Sequence, residues 1–398
     1  MKNILLVFLL LGYASVPAWA EDSDTFKRAF DLTREAHLKA NAGDRAKAES
    51  LLREALLLLQ KNAGEDNDFT LRAKENLAAM LSRGNDPAKI AEATRLDAEV
   101  VETYKNKGGD GEPYAAALTS LSGMLRKQQK YEEADPLARQ AVAVMEKLSP
   151  PDEKRLITAR MNLAKLLIEE SQFEEAGKLV ERVLGEVRTE YGETSERAME
   201  PLTHLAALAS MAGDADKSVG YLEQAVSIGQ KSLPADSPDL ATAVENLANA
   251  YRDAGKSDKA LPLYQDFVER QRRLHGPVSK EVADALDDIA LMQRERGDAA
   301  AEVTFKQVLE LREKLAEQEP AALATSLNNS GKLYRDEGKF DDAETMFKRA
   351  LEIRERVFGP KDESVAATLR NYALLMRKKG NLAKADELDE RAEKIEGP

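Results

Sequence analysis

Between residues 323 and 354 apolar and small side chains recur at steps of three and four. Leu327, Ser330-Gly331 and Tyr334 precede a polar break at Gly338-Lys339; Ala343, Phe347, Ala350-Leu351 and Ile353 follow it. That spacing predicts two helices, each with one apolar face, joined by a tight turn at Gly338. The same sentence is written along most of the chain. Forty-two residues on, Leu369, Asn371, Gly380, Ala385 and Leu388 stand at the matching places. Upstream, the turn residue falls at Gly297, Gly255, Gly213, Ser171, Gln129, Asn85 and Gly43. From Gly43 to Gly380 the spacings are 42, 44, 42, 42, 42, 42, 41 and 42 residues. Nine helix–turn–helix units of this length take up residues 21–398 as one all-α solenoid and leave no room for a separate catalytic domain.

The small residues in the pattern have a packing reason. Five after the turn stand Ala48, Ala134, Ala176, Ala260, Ala343 and Ala385; seven before it stand Ala36, Ala78, Ala164, Ala206, Ala248, Ala290, Gly331 and Ala373. Small side chains at both points let the two helices approach closely, while Tyr251 and Tyr264, or Tyr334 and Phe347, fill the space around them. Pro150-Pro151, Pro234, Gly276-Pro277, Pro320 and Gly359-Pro360 separate one unit from the next. Glu132-Glu133, Glu174-Glu175 and Asp341-Asp342 open second helices, where acids complement the positive helix end.

A period near 42 does not by itself choose among helical solenoids. The residues do. Asn-x2-Gly/Ala-x2-Tyr-x3-Gly-x4-Ala-x3-Tyr/Phe-x2-Ala resembles the tetratricopeptide repeat, and the unit length is similar to the longer-helix variety found in kinesin light chains. The resemblance covers residues 25–395, strongest from Leu240 onward and weakest between Asn85 and Pro113, where Gly108-Gly109-Asp110-Gly111 lengthens a loop and blurs the register of the second unit. It implies a right-handed superhelix whose concave face, lined by the first helices, takes an extended peptide or a partner helix.

Positions nine, six and three before the turn share a face of the first helix other than its apolar one. The ninth position carries Asn76, Asn162, Asn246, Asp288, Asn329 and Asn371; the third carries Arg126, Arg252, Arg294, Arg335 and Arg377. An Asn amide pairs with a peptide's N–H and C=O, and Arg grips a carboxylate with two parallel bonds. Peptide grooves of the resembled family use an Asn at this place, so Asn246, Asn329 and Asn371 are partner-binding candidates by that resemblance. Arg252, Arg294, Arg335 and Arg377 join them as a ladder that would draw an acidic segment. The alternative stays open at this point: Asn as a bond to the neighbouring unit, and Arg beside Asp253, Glu295 or Asp336 as a solvated, self-neutralised face.

Composition narrows the chemistry further. The chain has no Cys and three His, so thiolate nucleophiles, disulfides and Cys-ligated metals are excluded. His37, His204 and His275 stand in different units, without metal-ligand spacing, and His275 ends a helix before Gly276. Glu65-Asp66-Asn67-Asp68 lacks the glycine and closing glutamate of a calcium loop. No nucleophile elbow or phosphate-binding glycine–lysine motif is present. The expectation is therefore a non-enzyme with no catalytic residue, metal or cofactor. A net charge of −13 argues against nucleic acid.

The first residues read as an export signal. Lys2 precedes an apolar run from Ile4 to Leu11, and Pro17 leads into Ala18-Trp19-Ala20. Residues 1–20 are thus expected to be a signal peptide cut after Ala20, giving a periplasmic or secreted protein with no membrane span after cleavage. An uncleaved anchor is the rival, although Gly12, Tyr13 and Pro17 interrupt a run already short for a bilayer. The functional expectation is an exported scaffold or adaptor that binds an extended, acidic peptide segment of an envelope or secreted protein. The alternatives are a self-associating structural protein, since Leu382, Leu388 and Ile395 are expected to lie open on the last helix, and a non-catalytic subunit of an enzyme complex.

Overall fold

A helix that ends in a left-handed residue reverses the chain within three residues, and this device recurs throughout the protein. The computed structural model describes residues 24–84, 86–148 and 152–396. The signal peptide expected at residues 1–20, the turn at Asn85 and the Pro150-Pro151 boundary lie outside the described residues. Gly43, Gln129, Ser171, Gly213, Gly255, Gly297, Gly338 and Gly380 all take φ between 59° and 87°. At Gly338 the Lys339 N–H reaches back to the Tyr334 carbonyl at 2.8 Å, closing the helix end before the next helix starts at Phe340. Gln129 and Ser171 hold the same conformation without glycine's freedom.

The described residues fall into two compact units that divide after Gly192. The first contains α1 (Asp24–Asn41), α2 (Arg45–Ala63), α3 (Asp68–Leu81), α4 (Pro87–Asn106), α5 (Gly111–Lys127), α6 (Tyr131–Glu146), α7 (Glu153–Glu169) and α8 (Phe173–Tyr191). The second opens with a short 3-10 turn, Glu196–Ala198, and continues with α9 (Met199–Met211), α10 (Ala215–Ser232), α11 (Pro238–Asp253), α12 (Ser257–His275), α13 (Lys280–Glu295), α14 (Ala300–Lys314), α15 (Pro320–Asp336), α16 (Phe340–Phe358), α17 (Glu363–Lys378) and α18 (Leu382–Glu396). Odd helices are the first of each pair. Side-chain oxygens of Asp44, Asn67, Asp86, Asp152, Asp214 and Asp362 accept backbone N–H bonds at helix starts, which fixes where α2, α3, α4, α7, α10 and α17 begin.

Each pair closes on its small residues. Ala36 against Ala48, Ala248 against Ala260, and Ala373 against Ala385 are fully covered. In α15 the place is taken by Gly331, where an added Cβ would lie 2.7 Å from the ring of the fully buried Phe347. Two units depart from the spacing. In the pair that turns at Gly297 the covered alanine is Ala301, four residues on, so α14 is offset by one position. After Asn85 it is Ala93, eight residues on, although α4 starts two residues after the turn as most second helices do.

The C-terminal end corrects one expectation. Leu388 is buried and Ile395 packs on the last core, so of the three side chains expected to lie open only Leu382 does, at 61 % exposed. Arg370 reaches the Glu396 carboxylate and Arg377 holds Asp389 at 2.5 Å, tying α18 to α17. No helix among the described residues is long and apolar enough to cross a membrane.

In the first unit one polar group sits where its siblings are apolar. Asp97 in α4 occupies the place that Phe347 fills in α16, four residues after the covered alanine, and is 1 % exposed. Ser120 of α5 donates to Asp97 Oδ2 at 2.6 Å, while Oδ1 has no partner among the described residues. Burial pushes the carboxyl up to about 7. The folded chain then keeps a proton that the unfolded chain has released, so this group makes stability fall as pH rises from about 4 to about 7. Urea unfolding at pH 5 and pH 7.5 is expected to show that fall, and Asp97→Asn to flatten it. An unchanged slope in the variant would assign the titration to another group.

Candidate partner-binding surface

Within the second unit first helices touch across successive pairs: α9 meets α11, α13 meets α15, and α15 meets α17. They form one layer, and the positions singled out from the sequence lie along it. The structure does not treat them alike.

On α11, Asn246 is half-buried with no side-chain bond among the described residues. Arg252, one end of the expected ladder, is held from two directions: Nε donates to Asp253 Oδ1 at 3.2 Å and Nη1 to the Tyr264 hydroxyl at 3.0 Å. That hydroxyl in turn donates to Asn249 Oδ1. Burial pushes the Tyr264 phenol up to about 12. Burial and the charges of Asp288 and Asp284 raise the Glu245 carboxyl, and burial and Asp284 raise that of Asp288 against the pull of Arg252. The Arg252 end of the layer is therefore balanced by acids.

Further along, the balance reverses. Asp336 is shared by two candidates, with Arg335 donating to its Oδ1 from Nε at 3.1 Å and Nη2 at 3.0 Å, and Arg294 standing 3.5 Å from its Oδ2. The remaining nitrogen of Arg335, Nη1, is covered and has no acceptor among the described residues. Lys332, one helical turn from Arg335, has no ion pair or hydrogen bond there either. Burial and the fields of Arg294, Arg335 and Arg354 hold the Lys332 ammonium below its ordinary pKa. Asn329 is buried beside it, its amide without a partner among the described residues.

At the far end Asn371 is used up: its Nδ2 donates to Asn328 Oδ1 at 3.1 Å, tying α17 to α15. Arg377 faces Asp389, and with Arg370, Leu374, Asp386, Glu390 and Glu393 it lines an open surface cavity of about 540 Å3 between α17 and α18. The structure thus brings together Asn329, Arg294 and Arg335, and leaves Asn246, Arg252, Asn371 and Arg377 each in separate surroundings. Lys332 and Arg354 were missed in the sequence reading. Lys332 sits six before the turn, on the very face considered, but that position is Asn249, Leu291 and Leu374 in the other units and gives no recurrent signal.

No group of three or more His, Asp or Glu among the described residues has the arrangement to hold a metal ion. The His37 imidazole is held below its ordinary pKa by burial and by Arg83.

Residues 155–231, 239–314 and 322–395 match a family model described as tetratricopeptide repeat, and residues 115–152 match a second model with the same description. No curated protein matches the chain significantly in sequence. Among solved structures, the apo form of RapI is similar at 14% identity and a TM-score of 0.61, covering 92% of this chain and 97% of its own. The apo form of the quorum sensor NprR from B. thuringiensis is similar at 10% identity and a TM-score of 0.57, covering 99% of this chain and 92% of its own. Nearly identical TPR-like repeats of a Podosopora anserina protein described as a kinesin light chain are 21% identical with a TM-score of 0.45, covering 51% of this chain and 96% of theirs. At such identities the likeness is one of fold. With three double-length matches spanning more than half of its residues, this chain belongs to the tetratricopeptide repeat family.

Proposed function

We propose that the chain is an exported scaffold that binds an extended segment of an envelope or secreted protein along the first-helix layer of its second unit. Tetratricopeptide repeats are scaffolds for protein–protein interaction and are in general non-catalytic, and the residues here favour a peptide ligand. The observation that carries the reading is the row of free polar groups on that layer: the amides of Asn246 and Asn329 and the ammonium of Lys332, none of them bonded within the described residues. Polar groups already half out of water gain most from a partner that completes their bonds. The excess of cations around Asp336 favours an acidic stretch in the ligand, and export follows from residues 1–20.

Protein purified from the envelope or secreted fraction, whose N-terminus is expected at Glu21, is the bait. Beside it runs a variant carrying Asn246→Ala, Arg294→Ala, Asn329→Ala and Arg335→Ala. The native bait is expected to retain a partner that the variant loses, with retention weakening as salt rises. Charge-assisted bonds of about 1.5–3 kcal/mol each make that loss large. Equal capture by both baits places binding on another surface.

A further inference from the structure

First helices of neighbouring pairs in the second unit face each other at a register that one hydrogen bond makes explicit. Asn371, nine residues before its turn, donates from Nδ2 at 3.1 Å to Oδ1 of Asn328, ten before the preceding turn. Carried back two pairs, the same two positions are Glu245 on α11 and Asp288 on α13. Two amides bond at one end of the layer; two carboxylates stand opposite each other towards the other.

Among the described residues nothing bonds to these two acids. Both are half-buried, and neither has a hydrogen bond or an ion pair there. Burial and then the charge of Asp288 raise the Glu245 carboxyl, as acids placed opposite each other should. Arg252, whose field reaches Asp288, spends Nε on Asp253 and Nη1 on the Tyr264 hydroxyl. Asp284, one helical turn before Asp288, is held by Arg312. Two carboxylates without a third ligand suit a single ammonium or guanidinium better than a metal ion.

The next free charge on the layer has the opposite sign. Lys332 on α15 is half-buried, six residues before its turn, and has no hydrogen bond or ion pair among the described residues. Asp336, one turn further on, is taken by Arg335 and Arg294. At the place of Lys332, α13 carries Leu291, so no charge at that position intervenes. Packed helices lie about 8–10 Å apart, which sets Lys332 about 12–15 Å from the midpoint between the two acids. An extended chain covers that distance in about four residues. A ligand acidic throughout would press its own carboxylates against Glu245 and Asp288.

We propose that Glu245 and Asp288 receive a basic side chain of the bound segment and Lys332 an acidic one about four residues away. The layer then selects an extended segment of mixed charge, and the spacing of the two charges is its specificity. This inference rests on the reading of the layer as a peptide groove.

The probes are synthetic nonapeptides of Gly and Ser, blocked at both ends. One carries Lys and Glu four residues apart; the others carry two Glu four apart, two Lys four apart, or Lys and Glu adjacent. Each is titrated into the full chain at fixed ionic strength and followed by backbone amide shifts. The Lys/Glu peptide of wide spacing is expected to bind roughly fivefold more tightly than the other three, near the upper end for one added ion pair. Glu245→Gln with Asp288→Asn puts amides at both positions, as α15 and α17 have them, and is expected to keep the fold. That variant should lose the preference for Lys/Glu over two Glu, and Lys332→Met the preference over two Lys. Two Glu or two Lys bound as tightly as the widely spaced pair by the native chain overturns the inference, as does an unchanged preference in the double variant. Tightest binding of two Glu leaves the groove reading standing, whereas binding of none of the four peptides removes both.

Discussion

Phe347→Ala is expected to lower the stability of the second unit by about 3–5 kcal/mol, the usual cost of emptying a fully buried aromatic site. Phe347 is inaccessible, lies against the backbone of Gly331, and stacks on Tyr372 with ring centroids 6.3 Å apart. The ring therefore joins three helices, α15, α16 and α17, and the void left by its removal opens between two repeats. Because no side chain at position 331 can fold over the gap, relaxation is limited and the loss should fall high in the range. The reverse fault has the same origin. Gly331→Val places carbons where the Phe347 ring already stands and should cost about 1–3 kcal/mol by overpacking. Combined with Phe347→Ala, it should cost less than the two single changes added together, since residues in contact do not contribute independently. Denaturant melts of the two variants and the double variant measure all three terms. Strict additivity would mean that the close approach of α15 and α16 is not what sets the Gly331 requirement.

Arg312→Met is expected to cost about 3–5 kcal/mol at neutral pH, because it strands Asp287, a carboxylate the fold has largely covered beside that cation. Burial already raises its carboxyl above the ordinary range, while Ser326 and Arg312 pull it back. Without Arg312 that pull is lost and the folded-state pKa rises further, so the folded chain takes up a proton the unfolded chain does not hold. Stability of the variant should then drop as pH rises from about 4 towards neutrality, and the difference from native protein should shrink in acid. Arg354→Met supplies the contrast. Its guanidinium meets only neutral acceptors, so the same substitution strands no carboxylate and should cost much less. Equal losses at both sites would show that packing of the arginine stems, and not their charge, holds these pairs together.

Much of the fold was legible without coordinates because a solenoid is built from local rules. A left-handed turn residue every 42 positions, a small residue on either side of it, and acids at the second helix starts each act within about ten residues of chain. Eight of the nine turn positions named from the sequence take a left-handed φ, and the ninth, Asn85, lies outside the described residues. Ala301 and Ala93 show the limit of such reading, since a displacement of one residue in the first case and three in the second changes which side chains of a second helix meet the first while leaving its composition unaltered. The candidate surface was less legible. Arg252, Arg294, Arg335 and Arg377 look equivalent in a column of repeats, yet their charges are offset by different partners: Asp253 and the Tyr264 hydroxyl, a shared Asp336, and Asp389 from the last helix. Asn371 matches Asn246 and Asn329 in position but spends its amide on Asn328.

By itself the sequence determined the helical class, the unit length, the turn residues and which face of each helix is buried, since periodicity and backbone propensity are properties of neighbours along the chain. Tertiary structure alone decided that the chain divides after Gly192, that α18 hides Leu388, and that Lys332 and Arg354 lie in one positive field. Those outcomes depend on groups some 20 to 40 residues apart, and electrostatic balance is set by distance in space and by burial.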